Sequence, residues 1–186
     1  PAMGTLFPML NSIDGVLDCD LAAYCPIDST LNVDLSALSA VCSLDGKNMV
    51  LFTNETFHQI ASKLRFKDRE RNMIDHISAD FMAKNYQIEI LPFRLDMDRY
   101  SFIVGGQHSM DMSFNYHIDV LKSPIPFNFG LDVNGKVGDF KYNLGKTRYT
   151  ILFNRPIQHE EYRMSKQRRL DEEKVEILRE FRNVIP

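Results

Sequence analysis

The sequence predicts a mainly β, α+β fold: a curved antiparallel meander sheet with one apolar face, one short amphipathic helix inserted into it, and a helix at the C-terminus. Three observations carry that prediction. Apolar and polar side chains alternate with a period of two in several stretches, most clearly in MSFNYHIDV (112–120) and FNFGLDV (127–133), which is the period of a half-buried strand. The aromatic residues are thirteen Phe and seven Tyr with no Trp, side chains that suit a pleated surface. Short clusters of Gly, Pro, Asn and Asp separate the alternating runs, as hairpin connections do.

Residues 13–52 run through apolar and β-branched pieces separated by Asp14-Gly15, Cys25-Pro26 and Asp45-Gly46, turn chemistry that predicts several short strands. In TNETFHQIASKLRF the period changes. Phe57, Ile60, Ala61 and Leu64 fall at i, i+3, i+4 and i+7, with Thr53 or Asn54 able to cap and Glu55 suited to the first turn, so an amphipathic helix is expected here. Beyond the charged KDRERN, strands are expected near 74–83, 86–91, 93–104, 111–121, 126–134 and 138–151. Lys84-Asn85, Gly105-Gly106, Ser123-Pro124 and Asn134-Gly135 supply the connections. Residues 157–182 are helical in pattern, with a narrow stripe of Leu170, Ile177, Leu178, Phe181 and Ile185. Seven basic and seven acidic residues between 158 and 182 make the rest of that helix a balanced, solvated surface. Pro-Ala-Met-Gly reads as a cloning remnant, which divides the chain into 1–5, a β-rich domain at 6–156 and a charged helical tail at 157–186.

Composition narrows the function classes. With 25% charged residues and a formal net charge of -3, the chain offers no electrostatic case for nucleic acid, which requires clustered excess Lys and Arg. No run of about 18 apolar residues is present to form a membrane-spanning helix. Cys19, Cys25 and Cys42 lack the Cys-x-x-Cys pairs of a zinc site, so they are expected as small core residues with at most one internal disulfide.

No catalytic constellation is legible. HEEYR at 159–163 lacks the second His at i+4 that would set two metal ligands on one helix face. In GGQHSMD, Gly105 and Gly106 read as a turn or bulge, not as a phosphate cradle. His58, His76, His108, His117 and His159 are dispersed, and no Gly-x-Ser-x-Gly elbow occurs. The expectation is a protein that is not an enzyme and that holds neither metal nor cofactor.

What remains is the alternation. Met112, Phe114, Tyr116, Ile118 and Val120 project to one side of their strand, and Ser113, Asn115, His117 and Asp119 to the other. Phe127, Phe129, Leu131 and Val133 likewise oppose Asn128, Gly130 and Asp132, and Phe93, Leu95 and Met97 repeat the pattern before the phase shifts at Asp98-Arg99-Tyr100. One-sided antiparallel sheets ordinarily pack on a helix or second sheet. A helix of three turns spans only roughly 16 Å, so the helix carrying Phe57, Ile60 and Leu64 is expected to close one end of this face and to leave some of it uncovered.

The segments LDGKNMVLFTNETFHQIASKLRFKDRERNMIDHIS and ILPFRLDMDRYSFIVGGQHSMDMSFNYHIDVLKSPIPFNFGLDVNGKVGDFKYNLGKTRY carry a resemblance. Their order of a small helix, an apolar-Pro-Phe strand, a Gly-Gly element and a long strand followed by Ser-Pro-x-Pro-Phe and a Gly-Lys segment resembles the C-terminal region of AsmA-like proteins of Gram-negative bacteria, in their Bacteroidetes branch. The likeness spans residues 14–155. It implies a periplasmic protein anchored to the inner membrane by an N-terminal helix outside this chain, with a β-rich body curled into an apolar groove. It further implies that phospholipid acyl chains pass along that groove between inner and outer membranes, in support of outer-membrane assembly and lipid homeostasis. The lining would be Phe93, Leu95, Met97, Met112, Phe114, Tyr116, Ile118, Val120, Phe127, Phe129, Leu131 and Val133, with Phe57, Ile60 and Leu64 at its end. An acyl chain leaving a bilayer exposes methylenes at about 0.8 kcal/mol each, a cost that a continuous apolar trough removes. The alternative is a structural or protein-docking cap, without direct lipid binding, that engages an envelope protein partner. A hydrolase of envelope glycans or lipids is the weakest option, since no acid-base pair or nucleophile is legible.

Overall fold

The computed structural model describes residues 13–52, 71–97, 100–123, 125–136 and 139–184. Eight strands form one sheet in sequence order: β1 (Ile13–Tyr24), β2 (Ser39–Phe52), β3 (Arg71–Lys84), β4 (Gln87–Met97), β5 (Tyr100–Ser109), β6 (Ser113–Lys122), β7 (Phe129–Lys136) and β8 (Asp139–Gly145). Every neighbouring pair is antiparallel, which makes the sheet an open meander. Register shifts in β1–β2, β3–β4, β4–β5 and β5–β6 are bulges of the kind that bend and coil a sheet. Helix α1 (Thr150–Asn154) and the 29-residue helix α2 (Pro156–Val184) complete the chain.

Turn chemistry is right at some connections and misleading at others. Asn85 and Tyr86 both have positive φ, 52° and 65°, the backbone of a tight two-residue hairpin turn between β3 and β4. Asp111 accepts from the backbone N and the Oγ of Ser113 and so fixes the β5–β6 turn; these bonds hold its carboxyl far below the usual carboxylate range. Residues 13–52, however, form two long strands in place of several short ones, joined through 25–38. Asp14-Gly15 sits at a bulge inside β1, and Asp45-Gly46 lies mid-strand in β2. Gly105-Gly106 lies inside β5 opposite His117 and Tyr116, and Asn134-Gly135 inside β7 opposite Lys141 and Phe140. The common reason is space. A Cβ on Gly46 would collide with Leu17 and Met49, and one on Gly105 would press on Pro92 and the Tyr149 ring.

Other boundaries also differ from expectation. Pro92 does not split β4 but sits in its bulge, between Ile90 and Phe93, so 86–91 and 93–97 belong to one strand. The run 93–104 divides into β4 and β5. The strand expected over 138–151 stops at Gly145, where the chain turns back over the sheet towards α1. The helix expected around Phe57, Ile60 and Leu64 lies outside the described residues.

Helix α2 docks on the sheet. Leu170 and Ile177 are buried against Val41 and Leu91, a burial worth about 1.5–3 kcal/mol per side chain. Around them run ion pairs that cross from helix to strand: Lys166 to Asp80 at 2.6 Å, Arg169 to Glu89 at 2.7 Å, Lys174 to Asp20 at 2.7 Å, and Lys84 to Glu176 at 2.7 Å and Glu173 at 3.0 Å. Tyr162 donates from its hydroxyl to the Pro92 carbonyl at 2.7 Å. Of the rest of the apolar stripe, Leu178 and Phe181 are 60% and 55% exposed, and Ile185 lies outside the described residues.

Candidate functional site

The strand registers align apolar side chains into rows that cross the sheet. One row reads Leu17, Gly46, Ile77, Leu95, Phe102, Val120 and Phe129 from β1 to β7. A second crosses all eight strands as Leu21, Cys42, Phe81, Ile90, Gly106, Tyr116, Val133 and Tyr142. A third passes through Ala23, Ala40, Ala83, Ile88, His108, Phe114, Gly135 and Phe140, and Phe93, Val104, Ile118, Leu131 and Leu144 add a fourth across β4–β8. The result is one apolar face, opposite the face that α2 covers.

Its centre is packed and its rims are open. Side chains from Leu17 of β1 to Phe140 of β8 belong to a single apolar cluster with Met49, Ile74, Met97 and Tyr100. Val120 and Leu131 are 1% exposed and Phe129 is 7% exposed, whereas Leu21 on β1 and Tyr142 and Leu144 on β8 are 52%, 40% and 66% exposed. Burial pushes the Tyr116 phenol up to about 12. Of the expected lining, Met97, Val120, Phe129, Leu131 and Val133 are buried, and Phe93, Leu95, Phe114, Tyr116 and Ile118 are half-buried. The β6–β7 register sets Tyr116 opposite Val133, Ile118 opposite Leu131 and Val120 opposite Phe129, so the two alternating stretches do share one face. Two residues depart from this. Met112 falls in the β5–β6 turn with φ 68°, and Phe127 precedes β7 and is 65% exposed, because both alternating patterns begin before their strands do, at Ser113 and Phe129.

His108 is the one ionisable base among these rows, and it is buried. Desolvation pulls its pKa below the ordinary value, only partly offset by Asp111. In the unfolded chain a His takes up its proton near about pH 6.5, where the folded chain resists it, so the unfolded state binds more protons as the pH falls. The contribution of His108 to stability is therefore present above that pH and is lost on acidification. The urea midpoint is expected to fall between about pH 7.5 and about pH 5.5, and His108→Gln is expected to flatten that slope; an unchanged slope would contradict the burial effect.

On the opposite face, β6 and β7 bring together a polar cluster. His117 Nδ1 lies 2.7 Å from Asp132 Oδ1, and its Nε2 lies 2.8 Å from Asp119 Oδ1. Asp119, fully buried, also accepts from the backbone N of Arg148 at 2.9 Å, Tyr149 at 2.7 Å and Thr150 at 2.7 Å, and from the Thr150 hydroxyl at 2.9 Å. Arg148 pairs with Asp132 at 2.8 Å, and the Tyr149 ring stands edge-on to His117. Tyr149 offers α1 no side-chain cap, so Asp119 does from across the sheet what a local cap residue would do. Gly130 leaves the room: a Cβ there would strike the Lys146 carbonyl and the His117 ring.

This arrangement holds a helix start; it leaves no ring nitrogen open for general-base work or for a metal. Among the described residues no three His, Cys, Asp or Glu side chains are set to hold a metal ion. His76 pairs with Asp45, and His159 lies against the Leu152 carbonyl, so the described histidines do not converge. Cys19 and Cys42 lie with sulfurs 3.5 Å apart as free thiols, and burial pushes Cys42 up to about 12. The cluster had a sequence signal: His117 and Asp119 are two apart on one strand, and Asp132 falls opposite His117 across the hairpin. Likewise Leu17, Cys19 and Leu21 alternate with Asp18 and Asp20 in β1. In comparisons with protein-family models, curated proteins and solved structures, the chain matches none of them.

Proposed function

We propose that this chain is the C-terminal β-rich part of an AsmA-like envelope protein that handles phospholipid without chemistry, its apolar face receiving acyl chains. One observation carries the reading: mostly apolar rows cross an open sheet, one of them over all eight strands from Leu21 to Tyr142, and the face ends at exposed rims, at Leu21 on one side and at Tyr142 and Leu144 on the other. A surface meant to pass a hydrocarbon chain requires sameness along its length, and ladder rows provide it. Among the described residues no helix is long and apolar enough to cross a membrane. Periplasmic placement, inner-membrane anchoring and support of the outer membrane belong to the same proposal.

A second reading is favoured by the burial at the centre of the face. A packed floor with open edges also suits a structural cap that terminates a longer sheet and docks an envelope protein. Incubation with phosphatidylethanolamine vesicles carrying a trace of acyl-labelled fluorescent phospholipid separates the two. The lipid reading predicts extraction of the label into a folded, vesicle-free fraction, and Leu144→Asp should reduce it. No extraction by the folded chain would leave the cap.

A further inference from the structure

We infer that α2 pairs with the α2 of a second copy of this chain, antiparallel, about a two-fold axis midway between Arg168 and Asp171. The side of α2 turned away from Leu170 and Ile177 carries Ile157, Met164, Val175 and Leu178, which are 69%, 64%, 47% and 60% exposed. Ile157, Met164, Asp171 and Leu178 recur every seven residues, the spacing that keeps one stripe on one side of a helix over its length. Single exposed apolar side chains are ordinary, but four on one stripe of a helix already anchored by its other side are an unpartnered seam.

The charges on that seam say which partner fits. Around the sheet, α2 uses Lys166, Arg169, Glu173, Lys174 and Glu176 in ion pairs. Arg168 and Asp171 are exposed, and among the described residues neither enters an ion pair; Asp171 accepts only from the Gln167 amide, at 3.0 Å. In an antiparallel pair centred between them, Arg168 meets Asp171 of the partner subunit and Asp171 meets Arg168 of the partner subunit. The same symmetry sets Met164 against Val175 of the partner subunit. It also places Ile157 level with Arg182 of the partner subunit, and Glu161 level with Leu178 of the partner subunit. A parallel pair would instead put Arg168 on Arg168 and Asp171 on Asp171. The pattern is thus self-complementary in one direction only, the property an isologous two-fold contact requires. With four apolar residues per chain and two exposed charge pairs, the association is of moderate strength and depends on concentration.

Sedimentation equilibrium on the whole chain tests this. The 21.5 kDa chain is expected to approach twice its mass as concentration rises. Arg168→Glu, which replaces two attractions by two repulsions, should weaken association about ten-fold or more, and so should Asp171→Arg. Mixing the two variants, or combining both changes in one chain, should restore it, with circular dichroism showing the helix intact throughout. A monomer at every concentration, a dimer indifferent to Arg168→Glu, or a double variant that stays dissociated would each overturn the inference.

Discussion

Asp119→Ala is expected to remove most or all of the stability of the fold. The carboxylate accepts from three successive backbone N–H groups at the start of α1, from the Thr150 hydroxyl and from the His117 ring, and it is fully buried. Truncation leaves those donors facing an apolar methyl group, and each buried donor left without an acceptor costs about 1–3 kcal/mol. Even with partial rehydration the loss should exceed about 4 kcal/mol, against a total stability of about 5–15 kcal/mol for a domain. Asp119→Asn should lose less, because its oxygen can still accept from Tyr149 and Thr150 while its NH2 confronts the Arg148 N–H. Asp139→Ala at the exposed start of β8 is the control and should change stability by less than about 0.5 kcal/mol. Urea unfolding reads all three, and an Asp119→Ala loss below about 1 kcal/mol would mean that the cluster does not hold α1 to the sheet.

Phe129→Asp is expected to unfold the protein outright, while Leu144→Asp leaves it folded. Both side chains lie on the apolar face, yet Phe129 is 7% exposed within a cluster that includes Val120 and Leu131, and Leu144 is 66% exposed on the last strand. Burying a carboxylate there loses the transfer free energy and packing of a large ring, about 3–5 kcal/mol, and adds the desolvation of an unpaired charge, several kcal/mol more. At Leu144 the carboxylate remains in water. A melting curve separates the outcomes, and a folded Phe129→Asp variant with near-normal stability would mean that the face is more open than its burial indicates. The consequence is practical: a charge intended to block a lipid path belongs at Leu21, Tyr142 or Leu144, not at the floor.

The sheet was legible because alternation reports directly on which side of a strand each residue points, and a meander with short connections follows from it. Register and strand length were less so. Gly46, Gly105, Gly106 and Gly135 carry the composition of turns, but they sit where a neighbouring side chain or a returning loop needs the space a Cβ would take, and sequence gives the residue without the neighbour. Reading Asp45-Gly46 as a turn hid β1 and β2 as long strands, and with them two of the eight strands of the apolar face. The helical period of α2 was clear in the sequence, but which of Leu170, Ile177, Leu178 and Phe181 would be covered depended on the angle at which the helix crosses the sheet. The Asp132–His117–Asp119 cluster was visible only as polar residues on the far side of an amphipathic strand. Its purpose depends on the backbone of 148–150, distant in sequence and without a motif.

Adjacent residues of β8 allow the most direct test of lipid contact. Leu144 belongs to the apolar face and Asn143 to the opposite one, and both are exposed. Leu21 and Asp20 stand in the same relation on β1, both likewise exposed. Photocrosslinking amino acids placed at these four positions in the full-length protein, irradiated in cells and analysed by mass spectrometry of the adducts, compare the two faces at exposed positions. The lipid-handling proposal predicts phospholipid adducts at Leu144 and Leu21 and none at Asn143 or Asp20. Equal capture on both faces, or protein adducts alone at Leu144 and Leu21 with the chain folded and present, would contradict it.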